Sequence, residues 1–249
     1  MILTFYVIIM GMNIDFHSHI IPQIDDGSDS VQTSIEMLKA LKKQGVDFVV
    51  ATPHFLPMRM SAGAFLSARN TQSQLLEEAL ISRDLTPGEY VPKILLGAEV
   101  AYCFEIEKLS ELEALCIEGT NTLLLEMPMR KWGMEEVDAI SSMIYDRNLN
   151  VVIAHFERYF ILQNDEILHR LFKLPIYIQV NAHSLCVFTR KRQALKLFTL
   201  GPKQVLGSDT HNMTSRPPFI KDARDVLLKK FGQEKLDEID ETAKEILYL

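Results

Sequence analysis

Asn13-Ile14-Asp15-Phe16-His17-Ser18-His19 reads as a short apolar strand running straight into two histidines one residue apart, and Gln204-Val205-Leu206-Gly207-Ser208-Asp209-Thr210-His211 repeats the arrangement near the other end of the chain. In an extended strand residues i and i+2 share a face, about 6 to 7 Å apart. Each pair can therefore aim two side chains at one cation or at two neighbouring ones, and metal-assisted hydrolysis is the first chemistry to consider.

Between these two stretches the same pattern recurs. Apolar runs enriched in β-branched residues occupy 13–16, 47–51, 93–98, 122–126, 151–154, 176–180 and 204–207, seven in all. Helical periodicity separates them, over 31–44, 66–80, 135–145, 165–172, 190–200 and 219–231. In the first, Val31, Ile35, Leu38 and Leu41 share one face and Gly45 ends the helix. Alternating strands and helices call for a parallel sheet covered by helices, either a closed or nearly closed TIM-like (β/α) barrel or a doubly wound open sheet. The polar residues favour the barrel. His17 and His19 follow the first run, His54 the second, Glu99 the third, Glu126 the fourth, His155 the fifth, and Asp209 and His211 the seventh. All are expected at carboxyl ends, the rim on which barrels assemble their chemistry.

Composition narrows the classes further. The net charge of −7 argues against a general nucleic-acid binder, and 47% hydrophobic residues are enough for a full core. Cys103, Cys116 and Cys186 form no CxxC pair, so neither a disulfide framework nor a thiolate zinc site is indicated, and a reducing cytoplasm fits. Residues 2–10 are apolar but lack a basic flank and a small-residue cleavage site, and they are too few to span a bilayer. Residues 1–12 therefore read as an N-terminal extension, from an upstream start codon or as a short contact segment, and 13–249 as a single domain. No stable membrane insertion is expected.

Imidazole and carboxylate ligands suit manganese, iron or zinc. The segments IDFHSHIIPQIDDGS, ATPHF, LLGAEV, LLLEMP, VVIAHFERY and GSDTHN, in this order, resemble the PHP (polymerase and histidinol phosphatase) superfamily. They are most similar to its manganese-dependent protein-tyrosine-phosphatase branch, the capsular and exopolysaccharide phosphatases of bacteria. The resemblance spans Ile14 to beyond Arg216 and implies a distorted seven-stranded barrel holding three divalent ions. It assigns His17, His19, Glu99 and Asp209 to the first ion and Glu99, Glu126 and His155 to the second. Asp26, His54 and His211 go to the third, with Asp25 beside Asp26 as an open alternative. Arg158 and Arg216 match phosphate-binding positions, and planar guanidinium groups are physically suited to that task. Phe156 departs from the proline the family usually has there, which puts the turn carrying Arg158 in question.

The implied activity is hydrolysis of protein phosphotyrosine, with the tail of a bacterial tyrosine kinase of polysaccharide export as partner and a metal-bridging hydroxide attacking phosphorus. His211 or a metal-bound water is available to protonate the leaving oxygen. A phosphatase of a small metabolite such as histidinol phosphate is the nearest alternative. An amidohydrolase would place a carboxylated lysine where this chain has Glu126, and a non-catalytic metal-binding protein would be expected to have lost a ligand. Cys186 and Arg192 fit the C-x5-R spacing of thiol phosphatases but lack its glycine-rich loop. His183 reads as a rim or substrate-facing residue, and His169 as solvated. Trp132 reads either as a substrate contact or as part of an ordinary surface loop, and Phe55 either as the wall of an aryl pocket or as packing.

Overall fold

The structure, a computed structural model, describes residues 12–249. The expected N-terminal extension lies outside the described residues except for Met12. The chain is α/β with every strand pairing parallel. Its order is β1 (Ile14–Ser18), α1 (Val31–Lys43), β2 (Phe48–Ala51), β3 (His54–Phe55), α2 (Ala62–Ile81), β4 (Lys93–Leu96), β5 (Glu99–Ala101), β6 (Thr122–Glu126), α3 (Met134–Tyr145), β7 (Asn150–Ile153), α4 (Asp165–Leu171), β8 (Tyr177–Asn181), α5 (Ala182–Cys186), α6 (Phe188–Leu197), β9 (Lys203–Gly207), α7 (Ile220–Phe231) and α8 (Gln233–Leu247).

Each of the seven apolar runs carries a strand, but the second and third are each followed, after a two-residue break, by another. One sheet is β1-β2-β4 and the other β3-β5-β6-β7-β8-β9. The first break falls at Thr52-Pro53, where proline has no N–H to give the ladder. The second falls at Gly97-Ala98, where a side chain would meet Ile117 at 3.2 Å. Hydrogen bonds continue across both: Gly97 N donates to Ala51 O (2.8 Å) and Glu99 N to Pro53 O (3.1 Å). The carbonyl left over at Gly97 accepts from the buried Arg69 (2.8 Å). Two site residues thereby begin strands, because His54 and Glu99 open β3 and β5 instead of closing β2 and β4. The expectation that every one of the rim residues sits at a strand's carboxyl end is corrected for these two.

β1 and β9 meet at their carboxyl ends, where Asp209 N donates to His17 O (2.8 Å) and His19 N to Thr210 O (2.9 Å). Ile14, Phe16, Val50, Leu124, Val152 and Val205, from five strands, pack into one inner cluster, so the strands curve around a common centre. Ala243, Ile246 and Leu247 of α8 complete that cluster, and Thr122 Oγ1 donates to Ile246 O (2.6 Å). The larger outer cluster lies between strands and helices. Ser30 and Ser61 cap α1 and α2 by accepting from Thr33 N and Ala64 N. Among the described residues no helix is long and apolar enough to cross a membrane.

Candidate active site

The strand ends carry their polar side chains to one place. His17 Nε2 and His19 Nε2 lie 3.1 Å apart, and Glu99 Oε2 is 3.2 Å from both. Asp209 Oδ1 stands 3.7 and 3.5 Å from the same two nitrogens. His155 Nε2 is 2.8 Å from Glu99 Oε1 and 3.5 Å from Glu126 Oε1. Asp26 Oδ1 faces His54 Nε2 at 3.5 Å and His211 Nε2 at 3.6 Å, while His54 Nδ1 turns to Glu99 Oε2 at 3.0 Å. Three groups of atoms come close enough to hold a cation: His19, Asp26, His54 and His211; His17, His19 and Glu99; and His54, Glu99 and Glu126. His19 and His54 thus each belong to two groups, whereas the resemblance assigns each to one ion.

The donor set fits a divalent cation. Ligand bonds of about 2.1 Å at right angles leave neighbouring ligand atoms about 3 Å apart, the spacing seen around Glu99. Two imidazole nitrogens aimed at each other are poor partners unless a proton or a cation lies between them. Glu99 Oε2, His54 Nδ1 and His211 Nε2 are buried without a hydrogen-bond partner among the described residues, as expected of ligand atoms.

Neighbouring side chains set the tautomers. His17 Nδ1 donates to Gln179 Oε1 (3.0 Å), His19 Nδ1 to Asp25 Oδ2 (2.7 Å) and His211 Nδ1 to the carbonyl of Asp209 (3.0 Å). In all three rings Nε2 is turned toward the cluster, the orientation that outer hydrogen bonds impose on metal-binding histidines. Asp25 therefore holds His19, and of the two neighbouring aspartates it is Asp26 that faces the ligand groups. Gly27 allows this tight turn, since a Cβ there would lie 2.5 Å from the carbonyl oxygen of His19. His155 (φ +30°) and Asp209 (φ +53°) both sit in the left-handed region, a strain of about 1–3 kcal/mol each that is tolerated where surrounding bonds fix the geometry.

The electrostatics follow from crowding. Burial alone would raise the Glu99 and Asp209 carboxyls, yet the charge of His17 and bonds to the neighbouring histidines hold both well below the usual carboxylate range. Burial opposes the charged form of His155, but Glu126 and Glu99 raise it to about 9. Burial and the charge of His19 push His211 down to about 3, leaving it a neutral ring.

Arg158 and Arg216 both pair with Asp209, Arg216 Nη2 at 2.7 Å from Oδ1. They line a cleft of about 220 Å³ with His183, Arg190 and Ser215. His183 is exposed there, its ring stacked on Phe219 at 4.8 Å. Phe156, where the resemblance implies proline, buries its ring near Trp132, Phe160 and Phe172, and Arg158 in the same turn pairs with Asp209. Trp132 is only 4% exposed and its Nε1 donates to Pro128 O (3.0 Å), so the surface-gripping role considered for it gives way to packing. Phe55 packs on Phe65 in the same way, and His169 is solvent-exposed on α4. Cys186 closes α5 and the following residues form α6, so the C-x5-R stretch is two helices and not a phosphate loop.

Sequence reasoning missed Gln179 and Asn181. Gln179 Oε1 also accepts from His155 N (2.6 Å), its Nε2 donates to Asn181 Oδ1 (2.8 Å), and Asn181 Nδ2 donates to Asp209 Oδ2 (2.8 Å). One chain of amides thus ties three candidate ligands together. The signal available was two polar residues at i, i+2 in an otherwise apolar strand.

Residues 13–247 match the family model described as capsular polysaccharide synthesis, CpsB/CapC. The chain belongs to the CpsB/CapC family. A tyrosine-protein phosphatase CpsB of Streptococcus pneumoniae is 29% identical over 243 residues, covering 91% of this chain and 94% of that protein. The tyrosine-protein phosphatase YwqE of Bacillus subtilis is 30% identical over 244 residues, covering 94% and 91%. A solved structure described as one of the metal-dependent tyrosine phosphatases YwqE and CpsB superposes with a TM-score of 0.80 at 27% identity, covering 94% of both chains. A lactonase from Deinococcus radiodurans, at 12% identity and a TM-score of 0.53, shares the fold alone. Membership of the CpsB/CapC family extends over both ends of the ligand rim, from β1 to the turn after β9.

Proposed function

We propose that this CpsB/CapC chain is a divalent-metal-dependent protein-tyrosine phosphatase of the cytoplasm. Its substrate in this reading is the tyrosine-phosphorylated tail of a bacterial kinase that controls capsular polysaccharide synthesis. The observation that carries the reading is a cluster of purely nitrogen and oxygen ligands beside a cleft lined by Arg158, Arg190 and Arg216. The sequence relatives named tyrosine-protein phosphatases support the substrate class.

In the same reading residues 13–249 are one domain, and β2–β3 and β4–β5 each count as one broken strand of a distorted seven-stranded PHP-type barrel. Three ions, manganese first and iron or zinc as substitutes, would be held by His17, His19, Glu99 and Asp209; by Glu99, Glu126 and His155; and by Asp26, His54 and His211. When bound, such ions supply electrophilic polarisation of the phosphoryl oxygens and acidify water for attack. Asp25 and Gln179 keep the His19 and His17 rings in the ligating tautomer. Arg158 and Arg216 exchange part of their pairing with Asp209 for phosphoryl oxygens, a bidentate contact that lysine cannot reproduce. The neutral His211 suits a ligand better than a proton donor. A phenol leaving group, with a pKa near 10, asks little of a general acid.

The deciding experiment is turnover of a phosphotyrosyl peptide after chelation and metal add-back, beside histidinol phosphate. We expect chelation to abolish activity, manganese to restore it, His54→Ala to blunt the restoration, and Cys186→Ser to be silent. If no divalent ion restored turnover, or histidinol phosphate were the strongly preferred ester, the reading would be abandoned.

A further inference from the structure

On a chain of net charge −7, one face of the described surface is strongly cationic. Helix α6 begins with Phe188, 93% exposed, and continues Thr189-Arg190-Lys191-Arg192. Arg190 lines the same cleft as Arg158 and Arg216. Lys191 and Arg192 line a larger groove of about 740 Å³ between α6 and α7, together with Lys196 and Lys230. Its apolar walls are Phe188, Leu195 and Phe231, and no carboxylate lines it among the described residues. The ion pairs that α7 makes use Lys221 and Arg224, and the four cations of the groove have no ion pair among the described residues.

We propose that the α6–α7 groove docks an acidic segment of the substrate polypeptide near its phosphotyrosine, with an apolar side chain of that segment seated against Phe188 and Phe231. The proposal rests on the phosphatase reading above. Only the width of α6, about 10 Å, separates groove from cleft, so a peptide extended at about 3.3 Å per residue reaches the groove about three to six residues from the phosphotyrosine. Four cations without an ion pair, on a chain of net charge −7, attract an acidic segment to this face. The groove is concave, which suits a chain lying within it better than a bilayer lying across it.

The test compares phosphotyrosyl peptides carrying Glu and Asp, or Gln and Asn, three to six residues to either side, with p-nitrophenyl phosphate as a small substrate. The variants are Arg192→Glu with Lys230→Glu, and Phe188→Ala, none of them in the arginine cleft. In the wild type an acidic flank should raise kcat/KM about tenfold, through KM, with the advantage fading as salt rises to on the order of 0.5 M. The double charge variant should lose that advantage and Phe188→Ala should raise KM for both peptides, while p-nitrophenyl phosphate turnover stays unchanged in each. Equal rates on both peptides in the wild type would overturn the proposal, as would equal losses on peptide and small substrate in the variants. So would lost binding to phosphatidylglycerol vesicles with peptide turnover intact. Fluorescence anisotropy with an acidic peptide bearing unphosphorylated tyrosine reads the groove without turnover. A Kd weakened about fivefold or more by the double variant supports docking even if no phosphatase activity were found, and an unchanged Kd refutes it.

Discussion

At the scale of single residues, Gln179 has an influence out of proportion to its chemistry. Its one carbonyl oxygen accepts from both the His17 ring and the His155 amide, so two candidate ligands are referenced to the same atom. Gln179→Leu keeps the volume but leaves both donors unpaired. Metal affinity should fall about 10- to 100-fold, the usual effect of losing an outer hydrogen bond, as read by metal content after competition with a chelator. Unchanged affinity would show that the ring of His17 is fixed by something else. Arg216→Lys keeps the charge and removes the fork, so KM for an aryl phosphate should rise about tenfold while the bound metal is retained. The candidate ligands were legible because histidines directly after apolar runs are rare and mutually reinforcing. The outer residues were not, since a glutamine inside a strand looks like any inward polar group. Nor could sequence separate Asp25 from Asp26, because only the backbone of the turn decides which carboxylate faces the cluster.

At the scale of elements, the strands and helices with strong periodicity came through to within a few residues. The strands of two and three residues did not. β3 and β5 carry too few residues for a period, and they follow two-residue breaks at Thr52-Pro53 and Gly97-Ala98. α8 was overlooked although Leu236, Ile239, Ala243 and Ile246 recur at helical spacing. It matters for packing, since Ile246 is 1% exposed in the inner cluster with Phe16 and Val50. Ile246→Ala should cost about 2–4 kcal/mol and lower Tm, while metal content and activity well below Tm remain normal. A fall in activity without a fall in Tm would mean that α8 communicates with the ligand rim.

At the scale of the whole molecule, the three thiols are spread through the fold and none is paired. Burial pushes the Cys116 thiol up to about 12, with Glu113 adding to the effect. At pH 8 only about one molecule in ten thousand would carry the thiolate there, and the thiolate is the reactive form. Iodoacetamide mapped by mass spectrometry should therefore leave Cys116 unlabelled in the native protein and label it in denaturant. Native labelling at pH 8 would mean that the segment opens locally.

The meeting of the first and last strands sets a timetable. Ser208 donates to Asp15 across 193 residues of chain, and the same join brings Asp209 to His17 and His19. A ribosome adding about 5–20 residues per second needs on the order of ten to forty seconds to cover that interval. Throughout it the emerging histidine pair has no carboxylate from the far end to complete its site. On the proposed ligand scheme a nascent chain would be a weak competitor for metal until it is nearly finished, and metal selection would fall to the folded protein instead of to the growing polypeptide.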